Sequence, residues 1–125
     1  MSSGQPISKI LVVEDDAPIR ELLMLQLRNA GYDVNAAADA VEAAHVIVRD
    51  PPDLLLVDVF MPYVDGYEFV FALKGDPATR HIPVVFVTSD DDVDQRALDL
   101  GATAYLKKPV KADRLLEVVR LFTQA

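Results

Sequence analysis

Three short apolar runs punctuate the chain: Ile10-Leu11-Val12-Val13, Leu54-Leu55-Leu56-Val57 and Val84-Val85-Phe86-Val87. Each is unbroken by polar positions and rich in branched side chains, which predicts central strands of a parallel sheet covered on both faces. Residues 33–37 and 104–106 give weaker strand signals and suit the edges. Between the strands, apolar residues recur at helical spacing. The first helix starts at Asp16 as N-cap, has Pro18 in its opening turn, carries Ile19, Leu22, Leu23, Leu27 and Ala30, and stops at Gly31. Asp39 with Glu42, and Asp65 with Glu68, resemble capping boxes with Asp at the cap, so a helix is expected after each. A fourth helix, residues 91–100, has only the thin stripe Val93, Ala97 and Leu100 and should be the loosest element. The last, residues 111–123, buries Leu115, Leu116, Val119 and Phe122. Strict alternation of strand and helix predicts an α/β fold, a parallel sheet with five crossover helices.

Neither a repeat nor a low-complexity stretch interrupts this pattern. Residues 1–8 read as a flexible N-terminal segment and residues 9–125 as one domain, which suits a chain of 125 residues. The absence of cysteine excludes disulfides and thiolate metal sites. With no apolar run near the ~20 residues of a membrane span and no signal-peptide core, the expectation is a cytoplasmic protein without a membrane partner. The formal charge of −8 argues against direct binding of nucleic acid, because no basic stripe is available to displace counterions. Part of the acidic excess, Asp90-Asp91-Asp92, reads as a solvated helix start rather than a second metal site. His45 and His81 are isolated from the acids and read as exposed or rim side chains.

The ends of the strands share a polar set. Asp58 ends the second apolar run, Glu14-Asp15-Asp16 the first, Thr88 the third, and Lys107-Lys108-Pro109 follows the last strand. A right-handed βα chain places its ligand crevice beyond these carboxyl ends, where the strand order reverses. If the first and third strands are neighbours, Glu14, Asp15 and Asp58 converge, and like charges so close either raise a pKa or recruit a cation. The oxygen donors fit Mg²⁺, and no His/Cys set for zinc is present. An aspartate can attack phosphorus to form an aspartyl phosphate, with Lys108, the Thr88 hydroxyl and Mg²⁺ neutralising the transferred group. The Lys108-Pro109 bond is a candidate for a cis peptide, and the sequence leaves the isomer open.

Taken together these residues resemble the receiver domain of two-component response regulators, the family of the chemotaxis receiver, over essentially all of the chain from Lys9 onward. The resemblance implies a flavodoxin-like doubly wound sheet of order 2-1-3-4-5. It implies that Asp58 accepts phosphate, that Asp15 binds Mg²⁺ directly, that Glu14 acts mainly through water, and that the Phe60 carbonyl is a third protein ligand. It also implies that Thr88 is the switch threonine, Tyr105 the switch aromatic, and Lys108-Pro109 the lysine-proline pair. Ser89 is small enough to leave the phosphate approachable. Phe60 is bulkier than the Met or Asn often found two residues after the acceptor. Asp90 is expected to face it across the pocket entrance, the two tuning phosphate lifetime.

The implied protein is not an enzyme acting on an outside substrate. It is a signalling receiver that catalyses its own phosphorylation by a sensor histidine kinase or a histidine phosphotransfer protein, and its own slow dephosphorylation. Its output is expected through the fourth helix, fifth strand and fifth helix, at a face bearing Asp94, Gln95, Tyr105, Lys107 and Arg114, toward a downstream protein or a second copy. No output module follows Ala125, so either a stand-alone receiver or the N-terminal piece of a longer protein is expected. A small aspartyl-nucleophile phosphatase is the alternative enzyme, but such enzymes usually carry Asp-x-Asp after the first strand and a cap insertion. A flavodoxin-like FMN carrier shares the sheet, yet Glu14-Asp15-Asp16 would repel its phosphate.

Overall fold

The computed structural model describes residues 8–123. Five parallel strands, β1 (Lys9–Val13), β2 (Asp33–Ala37), β3 (Leu54–Val57), β4 (Val84–Thr88) and β5 (Ala104–Lys107), form one sheet of order β2-β1-β3-β4-β5. They alternate with five helices, α1 (Ala17–Asn29), α2 (Ala40–Arg49), α3 (Gly66–Lys74), α4 (Val93–Leu100) and α5 (Ala112–Thr123). This is the flavodoxin-like doubly wound arrangement, with β2 and β5 at the edges. The order reverses between β1 and β3, which pair directly from Ile10 opposite Leu54 to Val13 opposite Val57.

Alternation along the strands divides the core in two. Leu11, Val13, Leu55, Val57, Val84 and Phe86 pack with Ala43, Ile47, Phe69, Val70, Val93 and Ala97 from α2, α3 and α4. Ile10, Val12, Leu54, Leu56, Val85 and Val87 pack with Leu23, Leu27, Leu115 and Val119 from α1 and α5. Both strand faces are therefore apolar, which is why these runs read as continuous rather than alternating.

The helix starts follow their acids. Asp16 accepts from the Ile19 amide, Asp39 from the Glu42 amide and Asp65 from the Glu68 amide. Glu42 reaches back to the Ala38 amide, one residue ahead of the cap itself. The fourth helix differs: it begins at Val93, two residues later than expected, and its cap position, Asp92, makes no side-chain cap bond. Its buried stripe is Val93 and Ala97, with Leu100 part-buried.

Ser8, expected to close the N-terminal segment, is tied into the fold. The Ser8 hydroxyl donates to the Thr123 carbonyl at 3.0 Å and the Ser8 carbonyl accepts from the Asp33 amide at 3.1 Å, so Ser8 belongs to the fold. The rest of that segment, residues 1–7, lies outside the described residues.

Candidate functional site

Backbone ladders carry the strand register one residue past the strand ends. The Glu14 amide donates to the Ala37 carbonyl, the Asp58 amide to the Val13 carbonyl and the Lys108 amide to the Thr88 carbonyl, at 2.9–3.0 Å. The residues that end the apolar runs are therefore fixed by the neighbouring strand. One carboxylate oxygen from each of Glu14, Asp15 and Asp58 lies within 4.8 Å of the others. Glu14 and Asp58 are 1% and 4% exposed, whereas Asp15 is open to solvent.

Lys108 Nζ reaches this group from β5, 2.6 Å from Glu14 Oε1 and 3.3 Å from Asp58 Oδ2. The Lys108-Pro109 bond is cis. Burial holds the Glu14 carboxyl above its ordinary range; the Lys108 hydrogen bond offsets part of this and Asp58 adds to it. Asp15, despite its open outer side, is also raised, by partial desolvation and then by Glu14. Burial pulls the Lys108 ammonium down, but the Glu14 hydrogen bond and the charges of Asp58 and Glu14 together hold it above its usual value. Three carboxylates against one ammonium leave an excess of two negative charges in a hard oxygen donor set, a composition that fits Mg²⁺.

The remaining expected residues take different places. Thr88 is fully buried at the end of β4, its Oγ1 accepting from the Asp90 amide at 3.2 Å. Phe60 is 57% exposed, with its amide at a long 3.4 Å from Asp58 Oδ1. Tyr105 pairs with Phe86 on the β5 edge, is 39% exposed, and lines a groove of about 590 Å³ with Lys107 and Arg114. Asp90 does not present a free carboxylate to the entrance. Its Oδ2 accepts the Tyr67 hydroxyl at 2.5 Å and its Oδ1 the Asp92 amide at 3.2 Å, because a buried tyrosine hydroxyl needs a partner and this acid is the one it meets. That hydrogen bond holds the Asp90 carboxyl below its usual range. The neighbouring Asp91 pairs with Lys107, so the acidic run ties the loop before α4 to α3 and β5 more than it starts a helix. His45 and His81 are both exposed, and neither belongs to the Glu14, Asp15 and Asp58 cluster.

Two supporting residues escaped the sequence reading. A Cβ on Gly66 would lie 2.3 Å from the Asp58 carbonyl oxygen and 2.9 Å from Val59 Cα, so only glycine lets the start of α3 press against the Asp58 peptide. The Gly66 amide seals that approach by donating to the Val59 carbonyl at 2.8 Å. Arg20 Nη1 donates to the Glu14 carbonyl at 2.8 Å and fastens the acid-bearing loop to α1. A glycine directly after a capping Asp was a usable signal for the first; nothing in the sequence marks the second.

The model of the response regulator receiver domain matches residues 10–120. Among curated relatives, the response regulator MprA of Mycobacterium tuberculosis is 42% identical over 114 residues, covering 90% of this chain and 49% of that protein. RpaA of Synechocystis sp., named a DNA-binding dual master transcriptional regulator, is 35% identical over 114 residues, 90% of this chain and 47% of that protein. The chain thus spans about half the length of these relatives. Among solved structures, the receiver domain of the sensor histidine kinase PA1611 from Pseudomonas aeruginosa PAO1 superposes with a TM-score of 0.84 at 27% identity. The match covers 94% of this chain and 98% of that one, whose active-site cleft coordinates a magnesium ion.

Proposed function

This chain belongs to the response regulator receiver family, the signalling domains of two-component systems, and from that premise we propose that Asp58 accepts a phosphoryl group in a Mg²⁺-dependent reaction. The observation that carries this reading is the convergence of Glu14, Asp15 and Asp58 on one point with Lys108 Nζ 3.3 Å from Asp58. An Asp58 oxygen forms the new bond to phosphorus while the bond from phosphorus to the donor's imidazole nitrogen breaks, its electron pair staying on nitrogen. The donor is a sensor histidine kinase or a histidine phosphotransfer protein.

Asp15 and Asp58, with the Phe60 carbonyl and with Glu14 through water, would hold Mg²⁺; the similar PA1611 receiver coordinates a magnesium ion in its active-site cleft. When bound, the ion neutralises the equatorial oxygens of the transferred group. Lys108 supplies a point charge already aimed at the acceptor. The Thr88 hydroxyl turns to donate to a phosphoryl oxygen, and Tyr105 takes up the space it leaves.

The test is intact mass spectrometry after exposure to acetyl phosphate and Mg²⁺. One added phosphate is expected, abolished by EDTA and by Asp58→Asn; labelling indifferent to either would overturn the assignment. Output is assigned to the α4, β5 and α5 face, where Tyr105, Lys107 and Arg114 line the groove and Asp94 and Gln95 lie exposed on α4, for a downstream protein or a second copy. Beryllofluoride with Mg²⁺ should shift backbone amides across residues 91–106; shifts confined to the loop after Asp58 would exclude this route. No helix among the described residues is long and apolar enough to cross a membrane, and a cytoplasmic site of action follows from the phosphodonor. The acidic charge argues against DNA binding by these 125 residues themselves, and that exclusion does not extend to a longer protein, since relatives of twice the length include a DNA-binding regulator.

A further inference from the structure

Asp90 ties α3, β4 and β5 to the loop before α4. Besides the Tyr67 hydroxyl and the Asp92 amide on its carboxylate, its carbonyl accepts from Lys107 Nζ at 2.9 Å, and its own amide donates to Thr88 Oγ1. Tyr67, in the first turn of α3, is fixed on two sides. Its ring stands edge-on to Phe86 of β4, centroids 5.2 Å apart at 68°, and the Arg96 guanidinium of α4 lies 5.0 Å over its face. These contacts determine where the phenolic oxygen sits, and its partner is a carboxylate, the stronger class of acceptor.

We propose that Tyr67 is a positioning residue for phosphoryl transfer: its hydroxyl latches Asp90 and, through the Asp90 amide, holds Thr88 in the resting orientation. The proposal rests on the reading of Thr88 as the hydroxyl that turns to the phosphate. In the resting structure the Thr88 oxygen is an acceptor for the Asp90 amide. Turning toward Asp58 gives up that bond, and Asp90 then follows only as far as Tyr67 releases it. A hydrogen bond present in one state and absent from the other biases the equilibrium between them. The latch also connects α3 to the loop before α4 by a route independent of Tyr105.

Tyr67→Phe removes the hydroxyl and keeps both ring contacts, so it separates the latch from packing. With acetyl phosphate and Mg²⁺, phosphate uptake by Tyr67→Phe is expected to be roughly tenfold faster than in the parent, the effect of losing one charge-assisted hydrogen bond in the resting state. In an Asp90→Ala background, where the latch is already cut, Tyr67→Phe should change nothing further. Without phosphodonor, amides of residues 88–92 in Tyr67→Phe should move part of the way toward their beryllofluoride-bound positions in the parent. Equal uptake rates in parent and Tyr67→Phe, or an effect of Tyr67→Phe undiminished by Asp90→Ala, overturns the latch. Failure of the parent itself to take phosphate overturns the phosphoryl-transfer reading, and the latch with it.

Discussion

Two ends of the same sheet are built on opposite terms. At the β1 and β3 ends, Glu14 and Asp58 are buried, tied by backbone bonds to the neighbouring strands, backed by Gly66 and Arg20, and paired with Lys108. At the β4 and β5 ends, the loop before α4 is held by side-chain bonds, from the buried Tyr67 to Asp90 and from Lys107 to the exposed Asp91, and α4 buries little beyond Val93 and Ala97. The first region is fixed in place and carries an excess of negative charge on buried groups; the second is held more lightly, with a short apolar stripe on α4. Phosphoryl transfer needs the first property, since it depends on placement of charge. Transmission needs the second, because switching elements are drawn from the least stable parts of a fold.

The sharpest way to break this comparison is to remove one lysine from each region. Lys108→Met strands Glu14 beside Asp58 without its counter-charge and should cost about 3–5 kcal/mol in EDTA. Lys107→Met removes a solvent-exposed pair with Asp91 and should cost under ~1 kcal/mol. Urea unfolding midpoints measure both, and similar losses would show that the two ends are not built differently. Saturating Mg²⁺ should restore part of the Lys108→Met loss and none of the other.

A pair of glycines extends the contrast to the backbone. Gly66→Ala places a methyl against the Asp58 peptide and should cost about 3 kcal/mol while slowing phosphate uptake. Gly101, the left-handed cap of α4 at φ 72°, has nothing within 4 Å of a new Cβ, so Gly101→Ala carries only the conformational cost of about 1–2 kcal/mol. Thermal unfolding and phosphorylation rates of the two variants separate a site defect from a simple loss of stability.

The two ends also differ in how much the sequence revealed. Asp58, Glu14, Asp15, Thr88 and Lys108 were legible because each closes an apolar run, and a polar residue ending a buried strand is conspicuous. The sheet was legible for the same reason, since its central strands are unbroken. Gly66 and Arg20 were not, because their roles exist only once α3 and α1 are laid against the strand ends. Around α4 the acidic run does precede the helix, but its bonds could not be foreseen. Three consecutive acids look alike in sequence, but Tyr67 claims Asp90 and Lys107 claims Asp91, leaving Asp92 at the cap position without a cap bond.

Protons should act on the two ends with opposite sign. Glu14 and Asp15 have raised folded-state pKa values, so the native state holds protons more readily than the unfolded chain. In EDTA their contribution should therefore grow as pH falls from above the raised values toward the unfolded values near ~4. Asp90 is lowered, chiefly by the Tyr67 hydrogen bond, so its contribution is present above the unfolded value and lost as pH falls through the depressed one. Midpoints measured against pH in EDTA should rise into the mildly acidic range, and Glu14→Gln should flatten the rise while Tyr67→Phe leaves it in place. With Mg²⁺ present the pocket's sign reverses, because protons then compete with the ion for the same oxygens. A midpoint that falls steadily from pH 7 downward in EDTA would contradict the charge imbalance assigned to the pocket.

The smallest expected effect concerns Phe60. It stands two residues beyond Asp58 and is 57% exposed, and its apolar ring offers no hydrogen bond to a water approaching an acyl phosphate on Asp58. Hydrolysis in line with the leaving carboxylate requires that water to be oriented, and an amide side chain can orient it where a phenyl ring cannot. Phe60→Asn should therefore shorten phosphate lifetime by a few-fold, roughly 1 kcal/mol or less of barrier, without altering unfolding midpoints. Decay followed by intact mass at fixed Mg²⁺ gives the rate. Slower or unchanged loss of phosphate in Phe60→Asn would mean that lifetime is governed by the loop carrying Asp90 rather than by Phe60. The Tyr67→Phe variant would then be the one to show altered decay.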